Sequence, residues 1–155
     1  MGFLVWLEAT GLADWVRMSI PGYPSMIALH ALGMATMVGL SLVFDLRLLG
    51  WFAGIPVQAL QRLFGLAWLG FGINTLSGAA LFSAQATSYI VDVIFMSKMA
   101  FVLLGAILAA ILQPAIANAG SWSGGRVPGS AKALAAISIA VWLIAIVLGR
   151  LTAYL

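Results

Sequence analysis

Long apolar runs, separated by short polar or glycine- and proline-containing segments, dominate the chain. Four of them are long enough to cross a membrane, at about residues 24–44, 57–83, 91–113 and 131–154. A hydrocarbon core of ~30 Å requires about 20 residues of α-helix. The pattern therefore predicts an all-α integral membrane protein, with four transmembrane helices in one membrane domain covering residues 1–155.

The segment before the first run, residues 3–18, has a different pattern. Its apolar positions fall on one helical stripe, made of Leu4, Leu7, Gly11, Trp15 and Met18, whereas Thr10, Asp14 and Arg17 fall on another. We expect an amphipathic helix that lies on the membrane surface. The alternative is a short, frayed N-terminal segment, because a glycine within a helix lowers its stability.

Small residues recur at four-residue spacing in each predicted span. The stripes are Ala31/Ala35/Gly39, Gly70/Asn74/Gly78, Gly105/Ala109 and Ala145/Gly149/Ala153. Membrane helices associate through close backbone approach, which small residues permit. Together with the short connections, these stripes predict an antiparallel four-helix bundle.

The composition agrees with a membrane protein and excludes several classes of site. Only 7% of the residues are charged and 64% are hydrophobic, whereas a soluble domain carries about 25% charged residues. The chain has no cysteine, which excludes disulfides and thiolate metal sites. The basic residues are scattered singly, so no nucleic-acid partner is expected.

The distribution of basic residues gives the predicted orientation. Four spans place both termini on one side of the membrane. Four basic residues fall on the opposite side, Arg47, Arg62, Arg126 and Lys132, and cytoplasmic loops carry an excess of Lys and Arg. We therefore expect the termini outside the cytoplasm. We also expect Asp45 in the first loop, where it forms an anchoring set of ion pairs with Arg62 and Lys132.

His30 is the only histidine of the chain and lies within the first predicted span. Met26 and Met34 are one helical turn away on either side. Imidazole and thioether groups are ligands that haem iron and Cu(I) accept, and an ionisable group within a span is by default a candidate functional residue. The alternative is a neutral histidine that is hydrogen-bonded to Asn74 or Ser77, with the methionines filling gaps in the core.

Several polar residues are predicted to share the membrane depth of His30. At ~1.5 Å per residue, His30 lies roughly 9–10 Å below the terminal face, and Asn74 and Ser77 reach a similar depth. Lys98 lies there too if the third helix begins near Tyr89; if it begins later, Lys98 extends to water at the membrane boundary. Arg150 is near the end of the fourth helix, where it either anchors that end with Tyr154 or faces a ligand.

These residues suggest two cofactors. A haem b would use His30 as its axial ligand, with Lys98 or Arg150 near the propionates. Such haems are usually held by two histidines, so the second ligand would have to be a methionine, a partner's histidine or absent. Copper would use Met26, His30 and Met34 near the outer face. A protein with no cofactor is the third alternative.

The absence of other motifs excludes other chemistry. The sequence contains no carboxylate pair, no nucleophile with a base and no glycine-rich phosphate loop, and the interior of the predicted spans has no acidic residue for a proton relay. Hydrolase, kinase and proton-coupled transporter functions lack the residues that they need, and we expect no enzymatic activity from the chain alone.

Four motifs, LHALGMATMVGLSLVFDLRLLG, WLGFGINTLSGAALF, FMSK and GRLTAY, occur in this order along the chain. With them the sequence resembles a family of small bacterial four-helix membrane proteins, which is catalogued as a domain of unknown function. The resemblance implies a multi-pass protein of the bacterial inner membrane with periplasmic termini, but it implies no activity. In architecture and in its intramembrane histidine the chain is also similar to four-helix b-type cytochromes and to copper-resistance membrane proteins.

Three functional hypotheses follow. The first is a haem-binding or electron-transfer membrane subunit built around His30. The second is a noncatalytic accessory subunit, whose small-residue faces contact a larger membrane complex or further copies of the chain. The third is copper handling at the periplasmic face. In each of them lipids surround the bundle.

Overall fold

The computed structural model describes residues 2–117 and 127–152, without the side chains of Val57 and Gln58. Most of the predicted third loop, with Arg126, lies outside the described residues, as do Ala153 and Tyr154. The helices in chain order are α1 (Gly2–Glu8), α2 (Gly11–Met18), α3 (Gly22–Leu49), α4 (Val57–Gln61), α5 (Phe64–Ser83), α6 (Ala86–Tyr89), α7 (Val93–Ala117) and α8 (Gly129–Leu151).

Four helical segments are long and apolar enough to cross a membrane: Gly22–Leu49, Ala59–Ser83, Val93–Ala117 and Gly129–Leu151. This confirms the prediction of an all-α chain with four candidate transmembrane helices. Large apolar side chains lie on the outer surface, as Leu103 and Ile111 of α7 do, with 62% and 53% of their area exposed. Helices that are apolar on all sides are typical of membrane spans.

The first spanning helix is longer than predicted. It continues past Phe44 to Leu49 and ends at Gly50, whose φ of 104° is the left-handed conformation that glycine adopts most easily. Asp45 therefore lies within α3 and is only 2% exposed. The predicted position of Asp45 in a loop is therefore wrong.

The predicted ion pairs of Asp45 are also wrong. Arg62 and Lys132 are both exposed, and the one salt bridge among the described residues joins Arg17 to Asp14. The neighbouring Arg47 donates hydrogen bonds to two carbonyl groups of the following loop, Ile55 O at 3.1 Å and Ala53 O at 3.4 Å. Arg47 thus stabilises the turn after α3 and leaves Asp45 without a counter-ion among the described residues.

The spanning helices α3 and α5 cross in close contact at Gly33. A Cβ atom at Gly33 would lie 2.5 Å from the backbone nitrogen of Asn74 and 2.6 Å from the carbonyl oxygen of Gly70. The two backbones therefore touch, as the small-residue stripe of α5 predicts. Further along the same pair, the rings of Phe44 and Phe64 meet edge to face at 4.9 Å.

The second helix pair, α7 and α8, packs at Gly105. A Cβ atom there would lie 2.8 Å from the ring of Trp142. α8 also packs against α3, and the shared core includes Met37, Leu48, Ala135 and Ala145.

The stripe Ala31/Ala35/Gly39 of α3 does not take part in this packing. All three residues are exposed, and a Cβ atom at Gly39 would meet no other atom within 4 Å. The face of α3 that contacts α5 instead contains Gly33 and Thr36. Gly33 meets the backbone of Asn74, and Thr36 meets Gly70. The expectation that the predicted stripe packs within the bundle is therefore wrong.

The N-terminal segment forms two helices where the sequence predicts one. The break precedes Gly11, which is the first residue of α2 and not the middle of a longer helix. The hydroxyl group of Thr10 caps α2 by accepting a hydrogen bond from Ala13 N at 3.3 Å. α2 buries Ala13 and leaves Trp15 and Met18 41% and 78% exposed.

Glu8 connects the N-terminal helices to the segment between α5 and α7. Its carboxylate accepts hydrogen bonds at 2.8 Å from both the backbone N–H and the hydroxyl group of Thr87 in α6. These bonds hold the pKa of Glu8 below its usual value of 4.5, because they favour the charged form.

We predict opposite effects for alanine at two glycines of α3. Gly33→Ala should destabilise the bundle by about 1–3 kcal/mol, because backbone atoms of α5 occupy the space of the new methyl group. Gly39→Ala should be neutral or stabilise by roughly 0.5–1 kcal/mol, since the site is open and alanine favours the helix. Thermal unfolding of both variants in one detergent measures the difference; equal stability would contradict the crossing.

We also predict that acid releases α1 from α6. Because the pKa of Glu8 is depressed, its stabilising effect is complete above pH 4.5 and is lost as the pH falls through the depressed value. Hydrogen exchange at the Thr87 amide, corrected for the intrinsic rate, should show this loss of protection. Glu8→Gln should lack the acid transition, and an identical transition in that variant would assign it to another group.

Candidate functional site

A small cavity lies between the four spanning helices. Its walls include His30, Met34 and Met37 from α3, Asn74 from α5, Lys98 from α7 and Trp142 from α8. The space open to the centre of a water molecule is about 20 Å³, which suffices for about one water. The cavity therefore brings together most of the residues that the sequence singled out.

The backbone of α5 sets the protonation of the His30 ring. Nδ1 lies 3.0 Å from the carbonyl oxygen of Asn74. Because a carbonyl oxygen only accepts hydrogen bonds, this contact favours a neutral ring with its proton on Nδ1, although the Asn74 side-chain nitrogen also lies 3.3 Å from Nδ1. The side-chain amide of Asn74 donates to the carbonyl oxygen of His30 at 2.9 Å. Asn74 thus fixes both the ring and the backbone of His30.

Gly78 and Ser77 of α5 also contact the imidazole ring of His30. A Cβ atom at Gly78 would lie 2.9 Å from Cε1 of His30, so the ring occupies the space that the glycine leaves. The Ser77 hydroxyl is buried, donates to Ile73 O at 2.6 Å and lies 3.4 Å from Nδ1. Asn74, Ser77 and Gly78 of α5 therefore form the surface that contacts the imidazole ring of His30.

Lys98 is the sixth residue of α7, which begins at Val93, and it lines the cavity with His30. Its side chain crosses the surface of α8 at Gly149, where a Cβ atom would lie 3.5 Å from Cε of the lysine. The ammonium group is 5.9 Å from the centre of the Phe95 ring, a cation–π contact. The positive charge thus lies beside the cavity of His30.

The remaining predicted ligands lie apart from the cavity. Met26 packs against the buried cluster of Val16, Ala80 and Ala84. Arg150 is exposed in the last turn of α8 and does not line the cavity. Sequence reasoning gave no role to Trp142, although it faces Gly105 across the α7–α8 contact and so closes one wall.

The cavity does not fit a haem. Its volume is that of about one water molecule, so a macrocycle would require the helices to separate. His30 is the only imidazole of the chain, and within residues 2–117 and 127–152 no three His, Cys, Asp or Glu residues form a cluster. A single metal ion with imidazole and thioether ligands matches both the size and the donor atoms.

Comparison of the chain with protein-family models, curated proteins and solved structures found no match. The functional argument therefore depends on the residues of the cavity.

We predict that nitrogen-15 NMR of His30, whose signal is unique in this chain, reports a neutral ring with the proton on Nδ1. Gly78→Ala should displace the ring and change both ring-nitrogen shifts, because the new methyl group would overlap Cε1. Gly72→Ala is the matched control, since a Cβ atom there meets nothing within 4 Å. A proton on Nε2 in the unmodified protein would contradict the hydrogen bond to Asn74.

Proposed function

We propose that the protein is a membrane-embedded copper-handling protein, which binds one Cu(I) ion through His30 Nε2, Met34 and Met37. One observation carries the proposal: an imidazole of fixed tautomer and two methionines line one cavity of single-ion size. Cu(I) accepts imidazole and thioether ligands. This set keeps two of the three ligands suggested by the sequence and replaces Met26 with Met37.

The hydrogen bond of His30 supports a ligand role. Metal-binding histidines usually donate their second ring N–H to a carbonyl or carboxylate group, which orients the ring and raises its basicity. The 3.0 Å contact of Nδ1 with Asn74 O is of this kind. His30 also lines the same cavity as the thioethers of Met34 and Met37.

Lys98 places a positive charge at the proposed copper site, and this charge affects how tightly the site can bind a cation. Lys98 lines the same cavity, and a second positive charge at short range is disfavoured in a medium of low dielectric constant. Lys98 therefore weakens the binding of a cation. Such a site suits the transfer of copper better than its permanent storage.

We place this site in an antiparallel bundle of the bacterial inner membrane, near the periplasmic face. Gly33 lies near Asn74 and Phe44 near Phe64, so α3 and α5 run in opposite directions. The exposed Trp15 of α2 supports contact of the N-terminal helices with the lipid interface, where tryptophan is enriched.

Anaerobic titration with Cu(I) against a coloured chelator tests the proposal. We predict one equivalent bound per chain, and Met34→Leu or His30→Ala should weaken binding by more than the ~10-fold that loss of a ligand's supporting hydrogen bond costs. Met26→Leu, outside the cavity, should bind like the unmodified protein. No binding, or equal loss in Met26→Leu, would overturn this site. A visible haem spectrum that disappears in His30→Ala would favour the haem hypothesis instead.

A noncatalytic accessory subunit is the second candidate, and the outward stripe Ala31/Ala35/Gly39 favours it. Small residues on a lipid-facing surface allow another helix to approach closely, either from a second copy or from a larger complex. Association that Ala35→Leu abolishes and His30→Ala leaves intact, in protein that binds no copper, would select this function over the first.

A further inference from the structure

A second polar cluster lies between α3 and α8, in the half of the bundle away from His30. It consists of Ser41 and Asp45 of α3 and Ser138 of α8, which are 3%, 2% and 1% exposed. At ~1.5 Å per residue, Asp45 lies about 22 Å further along α3 than His30. Asp45 is therefore well separated from His30, although Ser41 also contacts the sulfur of Met37.

The polar atoms of the cluster are incompletely satisfied. Asp45 Oδ2 and Ser138 Oγ are fully buried and have no hydrogen bond of standard geometry, although the Ser138 hydroxyl lies close to the carboxyl group. Ser41 Oγ has only a weak contact, 4.0 Å from the sulfur of Met37. Buried polar atoms without a partner are rare in folded proteins, and a bound water or ion is one explanation for them.

No positive side chain neutralises Asp45 in the part of the chain that the structure describes. α5 contains no titratable residue, and the single lysine of α7, Lys98, lines the other cavity. On α8, Lys132 and Arg150 lie near the two ends and are exposed. Arg47 is bonded to loop carbonyls. A bare carboxylate in this position is strongly disfavoured, because burial removes its hydration.

We propose that Asp45, supported by Ser138 and Ser41, is a binding site for one monovalent cation within the membrane. One negative charge requires one positive charge to balance it. A proton and a sodium ion share this chemistry. A proton would sit on Oδ2 and allow the carboxyl group to donate to Ser138, whereas sodium would take oxygen ligands from all three side chains.

Infrared spectroscopy and thermal unfolding of the full chain in nanodiscs test the site and distinguish the two ions. For a proton, we expect a carboxylic-acid C=O band at neutral pH that Asp45→Asn removes, together with a loss of thermal stability at alkaline pH that the variant lacks. For sodium, we expect no such band, and a saturable rise in the unfolding temperature with Na⁺, but not with choline, that Asp45→Asn lacks.

Asp14→Asn is the matched control, because Asp14 is exposed and paired with Arg17; it should keep both responses. Asp45→Asn preserves the shape of the side chain, so a folded variant is expected. If it fails to fold, Ser138→Ala should shift the midpoint of the same response. An unmodified protein with neither the band nor a response to sodium, or a variant with unchanged responses, overturns the proposal. Neither outcome bears on copper binding at His30.

Discussion

The backbone contact of α3 with α5 at Gly33 is the constraint on which the site depends. Because Gly33 and Gly70 carry no side chains, the two helices approach until Gly33 meets the backbone of Asn74. Only at this separation does the carbonyl oxygen of Asn74 come within 3.0 Å of His30 Nδ1. In a membrane, where lipid is as apolar as leucine, such contacts supply the association that the hydrophobic effect supplies in water. The tautomer of the histidine is therefore a consequence of helix packing.

The bundle keeps its ionisable groups in two separate halves. His30 and Lys98 lie at the cavity, and Asp45 lies about 22 Å further along α3. Between them the interior is formed by apolar residues such as Met37 and Trp142. Lys98 and Asp45 are therefore too far apart to neutralise each other. The charge in each half must be balanced by groups or ions in that half.

The sequence predicts those features of the bundle that depend on the pattern of residues within one helix. The four spans follow from hydropathy, and the seat of His30 follows from the spacing of Gly70, Asn74 and Gly78, because both are properties of a single helix. The outward stripe of α3 could not be predicted, since two small-residue faces compete on that helix and only the position of α5 selects Gly33. Asp45 was assigned to a loop because a charge marks a helix end on average. Its burial depends on Ser138, which is distant in sequence.

The contrast between single-helix patterns and contacts between helices also explains why the proposed copper ligands include Met37 and not Met26. Both residues are within two turns of His30 on α3, and periodicity alone favours the i−4 and i+4 positions. The cavity, however, is bounded by Trp142 of α8 and Lys98 of α7, and the face of α3 that lines it contains Met37. Met26 instead faces Val16 of α2, where its flexible side chain fills the contact between the N-terminal helices and the bundle. A ligand set in a helical bundle is therefore a property of the facing helices as much as of the helix that carries it.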